Sequence, residues 1–239
     1  MRIFGVLLSA LLCAVACHAT TPASNQEGSA NAVTGNAVPV EADDGTWGAA
    51  LAPVTLVVFT DLQCPFCAQG HELIQKLEQH YGPLELRVVV KQVPLASHAG
   101  AIPAARVAQA VLELGGNAKF FEYLDRAFAR QDQVASGNAL ELALPLGIDA
   151  ARLAERAGSS AVGQQVLNDT DLAERLAVPA LPHLRINGRG FTGVYPYDTL
   201  VRAIDRELAE VRRLTSAGIP KEQVYSRRVA QNLNLPEPD

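Results

Sequence analysis

Between residues 54 and 90 the chain sets two short apolar runs around one amphipathic stretch. Val54-Thr55-Leu56-Val57-Val58-Phe59 is apolar and β-branched without strict alternation, the pattern of a strand buried on both faces. Asp61-Leu62-Gln63 turns the chain. Leu73, Ile74, Leu77 and Tyr81 then recur at helical spacing and predict a helix that begins at Cys64-Pro65 and reaches about His80. Pro65 suits the first helical position, where its missing N–H leaves nothing unpaired. Gly82-Pro83 ends the helix, and Leu84 to Val90 reads as a second strand. The order is β–α–β, which predicts an α/β fold.

The middle of the chain reads as helical. Pro103 opens a helix with Val107, Val111 and Leu114 on one face, and Gly115-Gly116-Asn117 is expected to stop it. Phe120, Phe121, Leu124 and Phe128 mark the next, as core residues rather than a cofactor box. Residues 137–146 read as a short helix, Asp149 as the N-cap of a helix through Arg156, and Val162, Val166, Leu172 and Leu176 as one more. After Leu181-Pro182 comes a strand through Ile186. Asn187-Gly188 is a strong hairpin signal, and Phe191 to Val194 is the partner strand. Leu200, Val201, Ile204, Leu208 and Val211 stripe a closing helix. Residues 215–239 are polar with three prolines and read as a tail holding one short helix near Lys221–Leu233.

The N-terminus changes the picture from an ordinary domain to an exported one. Met1-Arg2 is followed by fourteen uncharged residues, IFGVLLSALLCAVA, too short to span a bilayer comfortably, which takes about 20. Small residues follow, the layout of a secretory signal peptide over residues 1–19, cleaved near 16/17 or 19/20. Ala14-Val15-Ala16-Cys17 resembles a bacterial lipobox, with Ala where Leu is commonest, and implies lipidation at Cys17. The next residue is His18 rather than Asp, which by the same resemblance would not hold a lipoprotein at the inner membrane. Residues 20–46 are rich in Ala, Thr, Ser, Asn and Gly without a period and read as a flexible linker. The folded domain is expected over 47–214. Net charge is −5 and no run of Lys or Arg stands out, so nucleic acid is not an expected partner.

The chain has four cysteines, Cys13, Cys17, Cys64 and Cys67. Only the last two fall in the folded part. Four readings of Cys64-Pro65-Phe66-Cys67 compete. A zinc site needs four ligands, and His71, His80, His98 and His183 show no ligand-pair spacing. A structural disulfide closing so short a loop would constrain the unfolded chain little. A chance pair of buried thiols is uncommon in an exported protein. A redox dithiol fits best, because the pair sits where a strand feeds a helix. There Cys64 faces unpaired backbone N–H groups and the positive end of the helix dipole, which favour thiolate over thiol. Cys67, one turn inside, is expected to be more buried and to resolve a mixed disulfide formed at Cys64. Pro65 and Phe66, both uncharged, would tune the pair through backbone geometry and packing.

The stretch APVTLVVFTDLQCPFC resembles the DsbA-like branch of the thioredoxin superfamily. So do Val93-Pro94-Leu95-Ala96-Ser97-His98 and Val178 to Gly188. The resemblance runs from about Pro53 to Arg206. It implies a thioredoxin fold with an inserted helical subdomain at about 97–177, and a cis-proline at Pro182 facing the disulfide. The backbone of Leu181 would pair with an extended substrate chain. A Pro in a turn before a strand is also where a cis bond is tolerated, with Pro179 the rival position. His183, beside Pro182, is a candidate for lining the substrate groove. His71 is expected at the surface, and His98 is expected to shape a loop.

Two departures stand out. Leu181 replaces the family's usual Thr or Val. Val58 stands where the family often has a buried acid that handles the resolving thiol's proton, so water or another group must do that job. The implied activity is thiol–disulfide exchange with unfolded or partly folded exported proteins, as an oxidant, without cofactor or metal. A redox partner would recharge the pair. The protein would sit in the periplasm or cell envelope, attached to membrane only through a lipid at Cys17. The alternatives are a reductase, or an assembly or metal-delivery chaperone that keeps particular partner cysteines reduced.

Overall fold

In the computed structural model, which describes Met1 and residues 38–235, the chain order is β1 (Gly45–Trp47), β2 (Val54–Thr60), α1 (Pro65–Tyr81), β3 (Leu86–Gln92), α2 (Ala101–Ala129), α3 (Gln131–Ala135), α4 (Ala139–Ala143), a 3-10 turn (Leu144–Leu146), α5 (Ala150–Gly158), α6 (Ser160–Arg175), β4 (His183–Ile186), β5 (Arg189–Thr192), α7 (Tyr197–Ser216) and α8 (Lys221–Leu233). The expected signal peptide, Cys17 and the linker up to residue 37 lie outside the described residues.

The five strands lie in the order β1-β3-β2-β4-β5. Strands β2 and β3 pair in parallel, from Val54 opposite Leu86 to Thr60 opposite Gln92, and the other neighbours are antiparallel. A parallel pair needs a crossover, and α1 supplies it. Strand β2 is buried at every position because both faces of the sheet are covered. Val54, Leu56 and Val58 pack with Leu73, Ile74 and Leu77 of α1 and with Leu200, Ile204 and Leu208 of α7. Val57 and Phe59 face the other way, onto Val38, Val89, the α6 residues Leu172 and Ala173, and Leu176 just past the end of α6. That two-sided burial removes the period of two from the sequence.

Helices α2 to α6 form the insertion between β3 and β4. Asp149 accepts the Arg152 N–H at 2.8 Å and caps α5. The turn Asn187-Gly188 has positive φ at both residues, 42° and 92°, the requirement of a tight hairpin turn.

Two expectations need correction. The linker does not run to residue 46: Val38 is buried in the second core cluster, Tyr225 donates to its carbonyl at 2.9 Å, and β1 extends the sheet. A three-residue strand is too short to leave a period. Gly115-Gly116-Asn117, by contrast, breaks the helical stretch as expected: Gly116 is non-helical at φ 75° and ψ 179°, so α2 is two helical segments meeting at a kink, and Asn117 Oδ1 accepts the Thr46 N–H at 2.7 Å, tying β1 to the break. Residues 215–239 are not simply a tail, since α8 buries Val224, Val229 and Ala230. Arg228 on α8 makes a bidentate pair with Glu207 of α7.

Candidate active site

The loop 61–64 carries the chain from the end of β2 into α1. Cys64 is the N-cap residue, extended at φ −74° and ψ 122°, with Pro65 in the first turn. Its carbonyl accepts the N–H groups of Cys67 at 3.0 Å and Ala68 at 3.2 Å. Both cysteines are free thiols.

Their surroundings differ. Cys64 forms part of the wall of an open cleft of about 790 Å³, with Phe66, Leu95, His98, Glu174 and Leu181 among its neighbours there. Phe66 is exposed. Both cysteines are buried, Cys64 at 6% exposed and Cys67 at 1%, and only Cys64 reaches the cleft. Burial pushes the Cys67 thiol up to about 12, a shift limited by the Asp61 N–H and Thr60 and increased by Cys64. The Asp61 N–H points at Cys67 Sγ from 3.4 Å. A thiol so buried keeps its proton and is a poor attacking group. Attack therefore falls to Cys64.

The Leu181–Pro182 peptide bond is cis, and Leu181 lies on the cleft. Pro182 packs against the active-site helix at Gly70, where an added Cβ would sit 3.0 Å from Pro182 Cγ. Cys64, Pro65, Phe66 and Leu181 thus meet around one opening, with Cys67 beneath it. His183 does not join them. It is buried and points at Thr192, with Nδ1 2.9 Å from Oγ1, while Arg185 donates to Nε2 at 3.4 Å. Burial, with the Arg185 charge beside it, pushes its pKa down to about 4. As the first residue of β4 it faces across the hairpin, so the groove role expected of it is not supported. His71 is not free at the surface either: its Nε2 lies 2.7 Å from Asp125 Oδ1, and its ring stacks on Phe128.

Three side chains hold the loop, two of them from the turn itself. Asp61, 2% exposed, accepts the Gln63 N–H at 2.7 Å through Oδ1. Through Oδ2 it accepts the Leu95 N–H at 2.7 Å and meets His98 Nδ1 at 2.9 Å. Gln63 Oε1 accepts the Gly100 N–H at 2.7 Å. Gln131, from α3, donates to the carbonyls of Leu62 at 3.0 Å and Cys64 at 2.9 Å. Gly100 is held so closely that a Cβ there would lie 2.0 Å from the Val134 carbonyl oxygen. The sequence signal for Asp61 was its place directly before the CxxC turn, where a polar residue reads as a turn former. Val58 contributes no acid: it is a core residue between Val90 and Leu184. Among the described residues no cluster of three or more His, Cys, Asp or Glu side chains is placed to hold a metal ion, and no helix is long and apolar enough to cross a membrane.

Comparisons with known proteins agree with this geometry. The sequence profile of the family described as Thioredoxin matches residues 41–206. The Na(+)/H(+) antiporter NhaA 3 of Salinispora tropica is 31% identical over 183 residues, which are 76% of this chain and 27% of that protein. NhaA 1 of Mycolicibacterium vanbaalenii is 32% identical over 171 residues, covering 70% and 27%. The chain spans about a quarter of the length of these curated relatives. Among solved structures, alpha-DsbA1 of Wolbachia pipientis superposes with a TM-score of 0.66 at 17% identity, covering 74% of this chain and 98% of that one. The catalytic domain of Proteus mirabilis ScsC gives 0.60 at 22%, covering 71% and 91%. A periplasmic thioredoxin-like protein from Salmonella enterica serovar Typhimurium gives 0.55 at 22%, covering 70% and 91%. The fold is the thioredoxin fold in its DsbA-like form, with helices inserted before the last two strands.

Proposed function

The chain belongs to the thioredoxin family, and on that premise we propose that it is a thiol–disulfide oxidoreductase that oxidises exported proteins through Cys64 and Cys67. The observation that carries this reading is the asymmetry of the pair: both cysteines are buried, but Cys64 lines the open cleft beside Leu181, whereas Cys67 does not and lies one helical turn behind it with its thiol raised to about 12.

In the oxidised protein a substrate thiolate attacks Cys64 Sγ. The Cys64–Cys67 bond breaks, a Cys64–substrate disulfide forms, and Cys67 leaves and takes up a proton. A second substrate thiolate then attacks the mixed disulfide, so the substrate departs oxidised and Cys64 reduced. Reversal needs Cys67 as thiolate, and its raised pKa keeps that form scarce. The mixed disulfide then lasts long enough for the second attack, which favours the oxidant direction. The partners are unfolded or partly folded exported proteins, for which an open, largely apolar cleft is suited, and a redox protein that restores the disulfide. The leader-like N-terminus supports a place in the periplasm or cell envelope, with attachment through a lipid at Cys17. The periplasmic protein among the structural neighbours supports the same compartment.

A Cys64→Ser protein is expected to lose exchange with a reduced, unfolded substrate. A Cys67→Ser protein is expected to accumulate the mixed disulfide, visible on non-reducing gels. Full activity in both variants overturns the reading. Mass spectrometry of the mature N-terminus tests the lipid at Cys17.

A further inference from the structure

Thiol–disulfide exchange moves protons as well as electrons, and the cleft holds a side chain able to carry one. His98 belongs to the cleft wall that Cys64 also forms, and its side chain is 22% exposed. Its Nδ1 lies 2.9 Å from Asp61 Oδ2, and that carboxylate already takes the backbone N–H groups of Leu95 and Gln63. A carboxylate only accepts, so Nδ1–H is the donor and the neutral ring carries its lone pair at Nε2. Among the described residues Nε2 has no hydrogen-bond partner. Asp61 also fixes Cys64, because its backbone carbonyl accepts the Cys64 N–H at 3.1 Å. One buried residue therefore holds both the His98 ring and the backbone of the cysteine at which the exchange takes place. A base oriented by a third group, on the cleft that the reacting cysteine also lines, is the arrangement of activated-nucleophile sites. Here the attacking thiol comes from the substrate.

We propose that His98, oriented by Asp61, is the catalytic base that takes the proton from the substrate thiol as it attacks Cys64. This rests on the oxidoreductase reading above. The step balances: the substrate S–H bond breaks with its proton passing to His98 Nε2, and the substrate–Cys64 S–S bond forms. The Cys64–Cys67 bond breaks, and the Cys67 thiolate is protonated as it leaves, by His98 through solvent in the cleft or by water. Two electrons pass to Cys67, and the pair's disulfide is replaced by the mixed one. The consequence is selectivity for protonated alkyl thiols, the form in which most cysteines of an unfolded chain exist at neutral pH.

The test compares two thiols against the oxidised protein at pH 7, following loss of its disulfide by stopped flow. Glutathione arrives mostly protonated, whereas thionitrobenzoate, an aromatic thiol, arrives ionised and needs no base. A His98→Gln protein is expected to react about a hundredfold more slowly with glutathione and less than about twofold more slowly with thionitrobenzoate. In the unaltered protein, heavy water is expected to slow the glutathione reaction and leave the thionitrobenzoate reaction unchanged, a measurement that needs no variant to fold. Equal slowing of both thiols in His98→Gln, an unchanged glutathione rate, or no solvent isotope effect with glutathione overturns the proposal. If the unaltered protein reacts with neither thiol, the oxidoreductase reading itself falls and takes this proposal with it.

Discussion

Two buried charge clusters sit at opposite edges of the sheet, and they are balanced differently. At the β4–β5 edge, Glu207 receives Arg228 through two hydrogen bonds, 2.9 Å and 2.7 Å, and also the amides of Asn187 at 3.1 Å and Asn232 at 3.0 Å. Burial alone would raise this carboxyl, but the bonds from Arg228, Asn232 and Asn187 outweigh it and hold it below the usual range. At the β1–β3 edge, Lys91 on β3 is almost wholly buried and meets two acids, Asp44 and, at 3.5 Å, Asp169 of α6. Burial raises both carboxyls against the pull of Lys91, Asp169 to about 7. One acid too many is buried there. The lesson is that a buried ion pair favours folding at neutral pH when donors match acceptors, and becomes sensitive to pH when they do not.

The largest expected effect comes from removing the cation at the unbalanced edge. Lys91→Met leaves Asp44 and Asp169 buried without their ammonium, and at pH 8 this is expected to cost about 3–5 kcal/mol of stability in urea unfolding. At pH 5 the loss shrinks, because both acids can take up protons. An equal loss at the two pH values would break the comparison. Arg228→Met is expected to cost less, about 2–3 kcal/mol, since Asn187 and Asn232 still donate to Glu207. This loss also shrinks in acid, but at lower pH, because the acid it leaves unpaired is one whose folded pKa is lowered rather than raised. Glu207 has a lowered folded pKa, so its contribution is complete above the ordinary carboxylate range and is lost as pH falls through the folded value. Thermal unfolding of Arg228→Met against the unaltered protein should therefore converge in acid.

How far these features could be read beforehand depends on the separation of the partners. Strand β2, helix α1 and the Asn187-Gly188 turn were legible because short runs of residues dictate them. The position of the two cysteines was legible for the same reason. The break at Gly115-Gly116-Asn117 was legible too, but the bond from Asn117 to Thr46, 71 positions away, was not. Nor was the order of residues 38–47, which comes from docking on α6, α8 and β3 rather than from local pattern. Within the site, Asp61 reads as an ordinary turn residue until Leu95 and His98, 34 and 37 positions on, close upon it. Gln131 looks like any exposed helix-start residue, yet it reaches the Cys64 carbonyl across 67 positions. The His183 reading failed because adjacency to Pro182 says nothing about which face of a strand a side chain takes, and the pairing with β5 turned it inward.

The smallest change should be the most discriminating. Asp169→Asn keeps an oxygen for the Gln92 N–H, now accepted at 2.8 Å, and removes the surplus charge. Asp169 has a folded pKa of about 7 against an ordinary value of 3.8. Between those two values the folded state binds the proton more tightly than the unfolded state does. Stability therefore falls as pH rises from about 4 to about 7 and levels off above that range. The amide cannot titrate, so the variant should lose this slope while the contribution of Glu207 at lower pH stays. At pH 8 its stability should differ from that of the unaltered protein by about 1 kcal/mol or less, the amide's weaker bond to Lys91 offsetting the relief of a buried charge. Urea midpoints taken at pH 5, 6, 7 and 8 provide the measurement. A slope unchanged in Asp169→Asn would mean that the surplus charge lies elsewhere, and the contrast between the two edges would have to be drawn from packing instead.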